Sequence, residues 1–172
     1  STNAMYVALA GVGSALGRIA VGCAEFYIRK KYGLSHITRM LVIPGVLTTL
    51  SVSMFLYIPA AVVFVPFITS AFAYGMSWGI TVLLARVMWK KDVGKHYNFL
   101  FSGALVSLLI FNRGMFGTLY EKEGRKQGNE HSCGGVVCFE ATFVVLTVLN
   151  VVATGAAYLV HRGWMRELRG PC

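Results

Sequence analysis

Charge is scarce in this sequence, and acid is scarcer. Only 13% of its 172 residues are charged and only 7 are Asp or Glu, whereas an ordinary soluble domain is about 25% charged. A polar skin around a water-soluble core cannot be assembled from so few groups clustered in a few places, which excludes an ordinary soluble domain. Strict alternation of apolar and polar residues is also missing. The apolar runs are too long for tilted strands of about ten residues, so a membrane β-barrel is excluded. No Gly-rich phosphate loop, HExxH, GxSxG or nucleotide motif is present, and the acids near the apolar runs form no catalytic pair, so nothing supports an enzyme or a cofactor. Cysteine is sparse: Cys23 lies in an apolar run, Cys172 is the last residue, and only Cys133 and Cys138 share a loop. That loop is too poor in ligands for zinc and invites a local disulfide instead. Proline is limited to four residues. Pro59 marks a turn, while Pro44 and Pro66 bend or begin helices that a membrane tolerates.

What the chain has in abundance is oil: 56% of its residues are hydrophobic and the mean hydropathy is +0.62. About 20 apolar residues cross a bilayer core as a helix. Between charged breaks, five such runs are predicted as transmembrane helices, at about 5–27, 40–58, 61–88, 97–119 and 139–160. The first run lacks a basic leader and is long enough to span, so no cleavable signal is expected.

The net charge of +9 does not point to nucleic acid, because Lys and Arg sit between the apolar runs, where they flank a bilayer. Arg29, Lys30, Lys31 and Arg39 follow the first run. Arg86, Lys90, Lys91 and Lys95 follow the third, and Arg162, Arg166 and Arg169 follow the fifth. The loop after the fourth run is balanced, with Glu121, Lys122, Glu123, Arg125, Lys126 and Glu130. The positive-inside rule then puts the basic loops and the C-terminus in the cytosol of a multi-pass protein and Ser1 on the far side, an arrangement that suggests further helices upstream.

Two arginines lie within apolar runs, where charge is costly and usually faces a cavity, a partner or a substrate path. Arg18 falls near the midplane, and its helical stripe carries Gly11, Ser14, Gly22 and Glu25, all small or polar. Its nearest acid, Glu25, is about two turns away. Arg113 lies near the outer end of the fourth run, where Glu140 is in position to pair with it. On the third run, Ser70, Tyr74, Ser77 and Thr81 form a hydroxyl-bearing stripe with Trp78 beside it. That stripe reads either as the lining of a water-filled path or as ordinary interhelical hydrogen bonding. Ala71, Gly75 and Gly79 form a second stripe of small residues, which lets two helices approach closely.

Three segments carry a resemblance. They are Leu16-Gly17-Arg18 through Gly22 and Glu25 to Arg29-Lys30-Lys31-Tyr32-Gly33; Tyr97-Asn98-Phe99; and Gly117-Thr118-Leu119-Tyr120-Glu121-Lys122-Glu123 leading to Cys133 and Cys138-Phe139. In these the chain resembles the C-terminal half of a nodulin-like major facilitator superfamily transporter, similar to monocarboxylate and oxalate–formate carriers. The resemblance implies an all-α membrane fold in which residues 1–172 form an incomplete C-terminal six-helix bundle, the N-terminal half being a missing partner. It also implies that Gly22, Glu25, Arg29 and Gly33 stand for the cytoplasmic latch loop, with Glu25 replacing the usual Asp. Arg18 and Arg113 fall on the two helices that bear anion-holding cations in the oxalate carrier.

The function expected from these features is alternating-access transport of a small organic anion, with Arg18, Arg113, Tyr74, Ser77 and Trp78 as substrate-binding residues. Guanidinium suits the task because its planar fork binds carboxylate bidentately and stays charged. The competing expectation is a small membrane scaffold or assembly protein that does not transport.

Overall fold

A computed structural model of the chain describes residues 2–32, 37–57, 62–89, 92–126 and 137–169. Among them there is helix and turn but no strand. The first helix, α1 (Thr2–Tyr32), runs uninterrupted for 31 residues, roughly 46 Å at 1.5 Å per residue. It begins before the expected span and ends beyond it, in the basic turn Arg29, Lys30, Lys31, whose cations complement the helix C-terminus.

The second predicted span is the one the chain breaks. A single turn, α2 (Ile37–Met40), is separated by Leu41 from α3 (Val42–Met54), which is only 13 residues long. Pro44 explains the interruption, because it has no N–H to offer the Met40 carbonyl four residues earlier and its ring crowds that oxygen. Leu41 nevertheless keeps helical dihedrals (φ −66°, ψ −29°). Beyond α3 the coil tightens, with the N–H groups of Phe55, Leu56 and Tyr57 donating to the carbonyls of Val52, Ser53 and Met54 at 3.1–3.2 Å. Pro59 lies outside the described residues.

Helix α4 (Phe64–Met88) follows, with Pro66 in its first turn, where a missing N–H costs little. Asp92, at φ 60°, is the one described non-glycine residue in the left-handed region, and it turns the chain into α5 (Val93–Leu108). Helix α5 passes into a π-helical stretch, Leu109–Gly117, and then α6 (Thr118–Lys126). Helix α7 (Val137–Arg169) completes the chain. By length and composition, four helical stretches among the described residues suffice to cross a membrane: Ala4–Tyr32, Phe64–Met88, Val93–Lys126 and Cys138–Gly163.

Cross-helix neighbours give the relative directions. A Cβ at Gly13 would meet Ala71 at 3.2 Å and one at Gly79 would meet Val21 at 3.3 Å, so α1 and α4 run parallel. Segment 37–57 must therefore return from one end of the bundle to the other. It lies antiparallel to α7, since Gly45 faces Thr154 and the Phe55 ring stacks on Phe143 at 4.9 Å. Helices α4 and α5 form an antiparallel pair, with Trp78 against Phe101 at 5.7 Å and Trp89 on His96 at 4.6 Å. The described residues thus make five alternating passes, the second by a broken helix. One end of the bundle gathers Arg29, Lys30, Lys31, Arg39, Arg86, Lys95 and Arg162 with Glu25 and Asp92, and the other holds Glu121, Lys122, Glu123, Arg125 and Lys126 of α6 with Glu140.

Close approach of α1 and α4 holds the centre together. Gly13 and Gly17 on α1 interleave with Ala71, Gly75 and Gly79 on α4, the small-residue packing that membrane helices use in place of a hydrophobic driving force. Gly75 lies directly against the Ser14 backbone. Val21, Met40, Met76 and Ile80 form a small buried cluster beside this seam. The periphery is the reverse of a soluble protein's: Val7 is 72% exposed, Phe99 79% and Val152 64%. Apolar surface on this scale is consistent with a membrane protein, since helices satisfy their own backbone in lipid.

Candidate functional site

Arg18 lies at mid-length on α1, one helical position C-terminal to Gly17, whose backbone is pressed against α4. That contact fixes the stretch of helix from which Arg18 projects. Arg18, Val21 and Gly22 of α1, Tyr74, Trp78, Gly79, Val82 and Leu83 of α4, and Tyr97 and Phe101 of α5 line a cavity of about 420 Å³. Gly22 and Gly79 keep its wall low, and nothing lies within 4 Å of a Cβ built at Gly22. Trp78 is wedged between two rings, edge-on to Tyr74 at 6.2 Å and tilted against Phe101 at 5.7 Å.

Among the described residues no acid lines the cavity, and Arg18 has no hydrogen-bond or ion-pair partner. Glu25 does not answer it, because that carboxylate lies 3.8 Å from Arg29 one turn along α1. A lone guanidinium, two phenol rings, an indole and a phenyl ring make a site that presents one positive charge beside an apolar wall. Such a lining suits a singly charged anion with some apolar body.

Of the residues singled out from the sequence, the structure brings Arg18, Tyr74 and Trp78 together with Gly22 of the latch segment. It does not bring Ser77 or Arg113 to the same cavity. Ser77 donates its hydroxyl to the Ala73 carbonyl at 3.0 Å; Ser70 and Thr81 likewise bond to Phe67 and Ser77 carbonyls at 2.8 Å. All three hydroxyls are satisfied on their own helix, and Tyr74 is the member of the stripe that lines the cavity.

Arg113 lies in the π-helical stretch and lines a separate cleft of about 600 Å³ with Phe116, Gly117, Thr118 and Glu121. It forms no ion pair with Glu140, contrary to the expected pairing. The wider coil changes which way side chains point beyond Leu109, so positions counted at 3.6 residues per turn no longer hold there. Phe116, Tyr120 and Phe139 cluster beside the cleft at centroid separations of 5.9–6.0 Å.

Of the latch positions, Glu25 and Arg29 are paired as described, and Gly33 lies outside the described residues. Cys138 is buried and disulfide-bonded; Cys133 lies outside the described residues, so their pairing stands as a proposal. Sequence reasoning missed Tyr97 and Phe101 as cavity residues. The signal available was the antiparallel return of α5 along α4, which brings aromatic residues opposite Trp78. No group of three or more metal-binding side chains occurs among the described residues.

No protein-family model, no curated protein and no solved structure matches this chain. The fold itself gives the class: a helical protein with, among the described residues, four helices long and apolar enough to cross a membrane, and a cavity between three helices.

Proposed function

We propose that this chain is part of a multi-pass secondary transporter that moves a small organic anion by alternating access. The observation that carries the reading is the mid-length Arg18, without an acidic partner among the described residues, in a 420 Å³ cavity walled by Tyr74, Trp78, Tyr97 and Phe101. A cation kept at that depth is costly unless an anion visits it, and secondary transporters bind substrate near the midplane. The nodulin-like major facilitator resemblance is consistent with this placement and supplies the expectation of a second helical half. Alternating access needs such an opposing wall. Within this reading the basic end faces the cytosol, together with the C-terminus.

Arg18 does the electrostatic work, Trp78 and Phe101 shape the apolar side, and the Tyr74 and Tyr97 hydroxyls are available as donors to the anion's second oxygen. Arg113, in its own cleft, is not a second clamp in this arrangement, so one anionic group rather than two is held. Uptake of labelled carboxylates by the complete transporter in liposomes tests the proposal. Arg18→Gln is expected to abolish uptake at equal expression, and Arg18→Lys to leave a small residue of it because the planar fork is lost. Unchanged uptake in both variants would overturn the assignment.

A further inference from the structure

The basic end of α1 carries a second built feature, independent of the cavity. Phe26, Tyr27, Lys30 and Lys31 line a groove of about 390 Å³. The spacing of four puts Phe26 beneath Lys30 and Tyr27 beneath Lys31, with each lysine about 6 Å nearer the helix end. Phe26 is 72% exposed and Tyr27 62%. The cations differ in how they are matched. Arg29 is answered by Glu25 at 3.8 Å, whereas Lys30 and Lys31 have no acidic partner among the described residues, and the Lys31 ammonium instead lies 5.9 Å and 5.1 Å from the Tyr27 and Tyr32 ring centroids.

We propose that this groove holds the headgroup of an anionic phospholipid. The phosphate sits between the Lys30 and Lys31 ammonium groups and the upper acyl chain lies over Phe26 and Tyr27. The order along the helix matches the order along a lipid: rings toward the hydrocarbon, cations one turn out at the phosphate level. Charge selects the anionic class, because Arg39, Arg86 and Arg162 lie at the same end of the bundle and repel the ammonium of a zwitterionic headgroup. The groove needs only that α1 spans the bilayer, so it stands whichever way the protein faces.

The test uses the full chain in phosphatidylcholine nanodiscs doped with phosphatidylglycerol, extracted into mild detergent, with retained lipid counted by native mass spectrometry. Each lysine near an anionic surface contributes about fivefold in affinity at low salt. Lys30→Gln/Lys31→Gln is therefore expected to lower phosphatidylglycerol retention by about 25-fold, and Lys30→Arg/Lys31→Arg to keep it. Lys122→Gln/Lys126→Gln, at the opposite end, is expected to change nothing. Equal retention in the Lys30→Gln/Lys31→Gln protein would overturn the proposal. So would displacement of the lipid by soluble glycerol phosphate at matched concentration, which would assign the groove to a free phosphate.

Discussion

Adding one methyl group at Gly75 should loosen the whole bundle. A Cβ there would stand 2.7 Å from the Ser14 carbonyl carbon and 2.8 Å from its Cα, in addition to striking the carbonyl oxygen. Favourable carbon contacts begin near 3.5 Å, so α1 and α4 must part by roughly 0.7–1 Å. A gap of that size forfeits a quarter to a half of each dispersion contact along the seam, and dispersion is what holds membrane helices together. The expected cost of Gly75→Ala is about 1–3 kcal/mol, the range for overpacked sites. Gly79→Ala should cost less than about 1 kcal/mol, because its nearest neighbour is the Val21 side chain at 3.3 Å. Gly22→Ala meets nothing within 4 Å and should be neutral, or stabilising by up to about 1 kcal/mol through helix propensity. Reversible unfolding in mixed micelles, read by tryptophan fluorescence, measures all three. Equal stability of Gly75→Ala and Gly22→Ala would refute the close α1–α4 approach.

Three further outcomes are expected. Gly45→Ala should destabilise the protein by about 1–2 kcal/mol, since the new Cβ meets Thr154 Oγ1 at 2.5 Å and that hydroxyl is committed to the Asn150 carbonyl at 2.7 Å. Adding Thr154→Ala should recover part of that loss, and the same unfolding assay arranged as a double-mutant cycle checks the coupling. Glu25→Gln should shift stability by no more than about 0.5 kcal/mol, because the partner Arg29 side chain is 62% exposed and such helical pairs are weak; a larger loss would point to another partner. Saturating carboxylate should change Trp78 emission in the native chain and leave it unchanged in Arg18→Gln, measured against Trp78→Phe to isolate that indole.

The main helices were legible because lipid imposes a simple rule: an apolar run of about 20 residues between charged breaks must be helical and must cross. The ends were less so. Helix α1 continues to Tyr32 through Arg29, Lys30 and Lys31, since basic residues suit a helix C-terminus and stop the hydrocarbon, not the helix. Pro44, expected to bend or begin a helix, lies in the first turn of α3 and divides the second run, because the hydrogen bond it removes is the one the Met40 carbonyl would accept. The small-residue stripe of Ala71, Gly75 and Gly79 was readable, but its partner Gly13 and Gly17 emerged only with α1 beside it. Arg18, Tyr74 and Trp78 could be proposed together because two helical stripes can face one another. Arg113 could not be placed by the same count, because a π-helical stretch changes the angle per residue. Ser77 is not among the residues that line the cavity; its hydroxyl bonds to an acceptor on its own helix at 3.0 Å.

The account depends on exposed apolar side chains lying in lipid while the Arg18 cavity holds water, and thiol labelling separates the two environments. In a Cys23→Ala/Cys172→Ala background, Gly22→Cys lines the cavity, and Val148→Cys replaces a residue 56% exposed on α7. With the protein in liposomes, a charged, membrane-impermeant thiol reagent is expected to label Gly22→Cys readily and Val148→Cys hardly at all. Rapid labelling of Val148→Cys, at a rate matching Gly22→Cys, would show water on both faces and contradict the account.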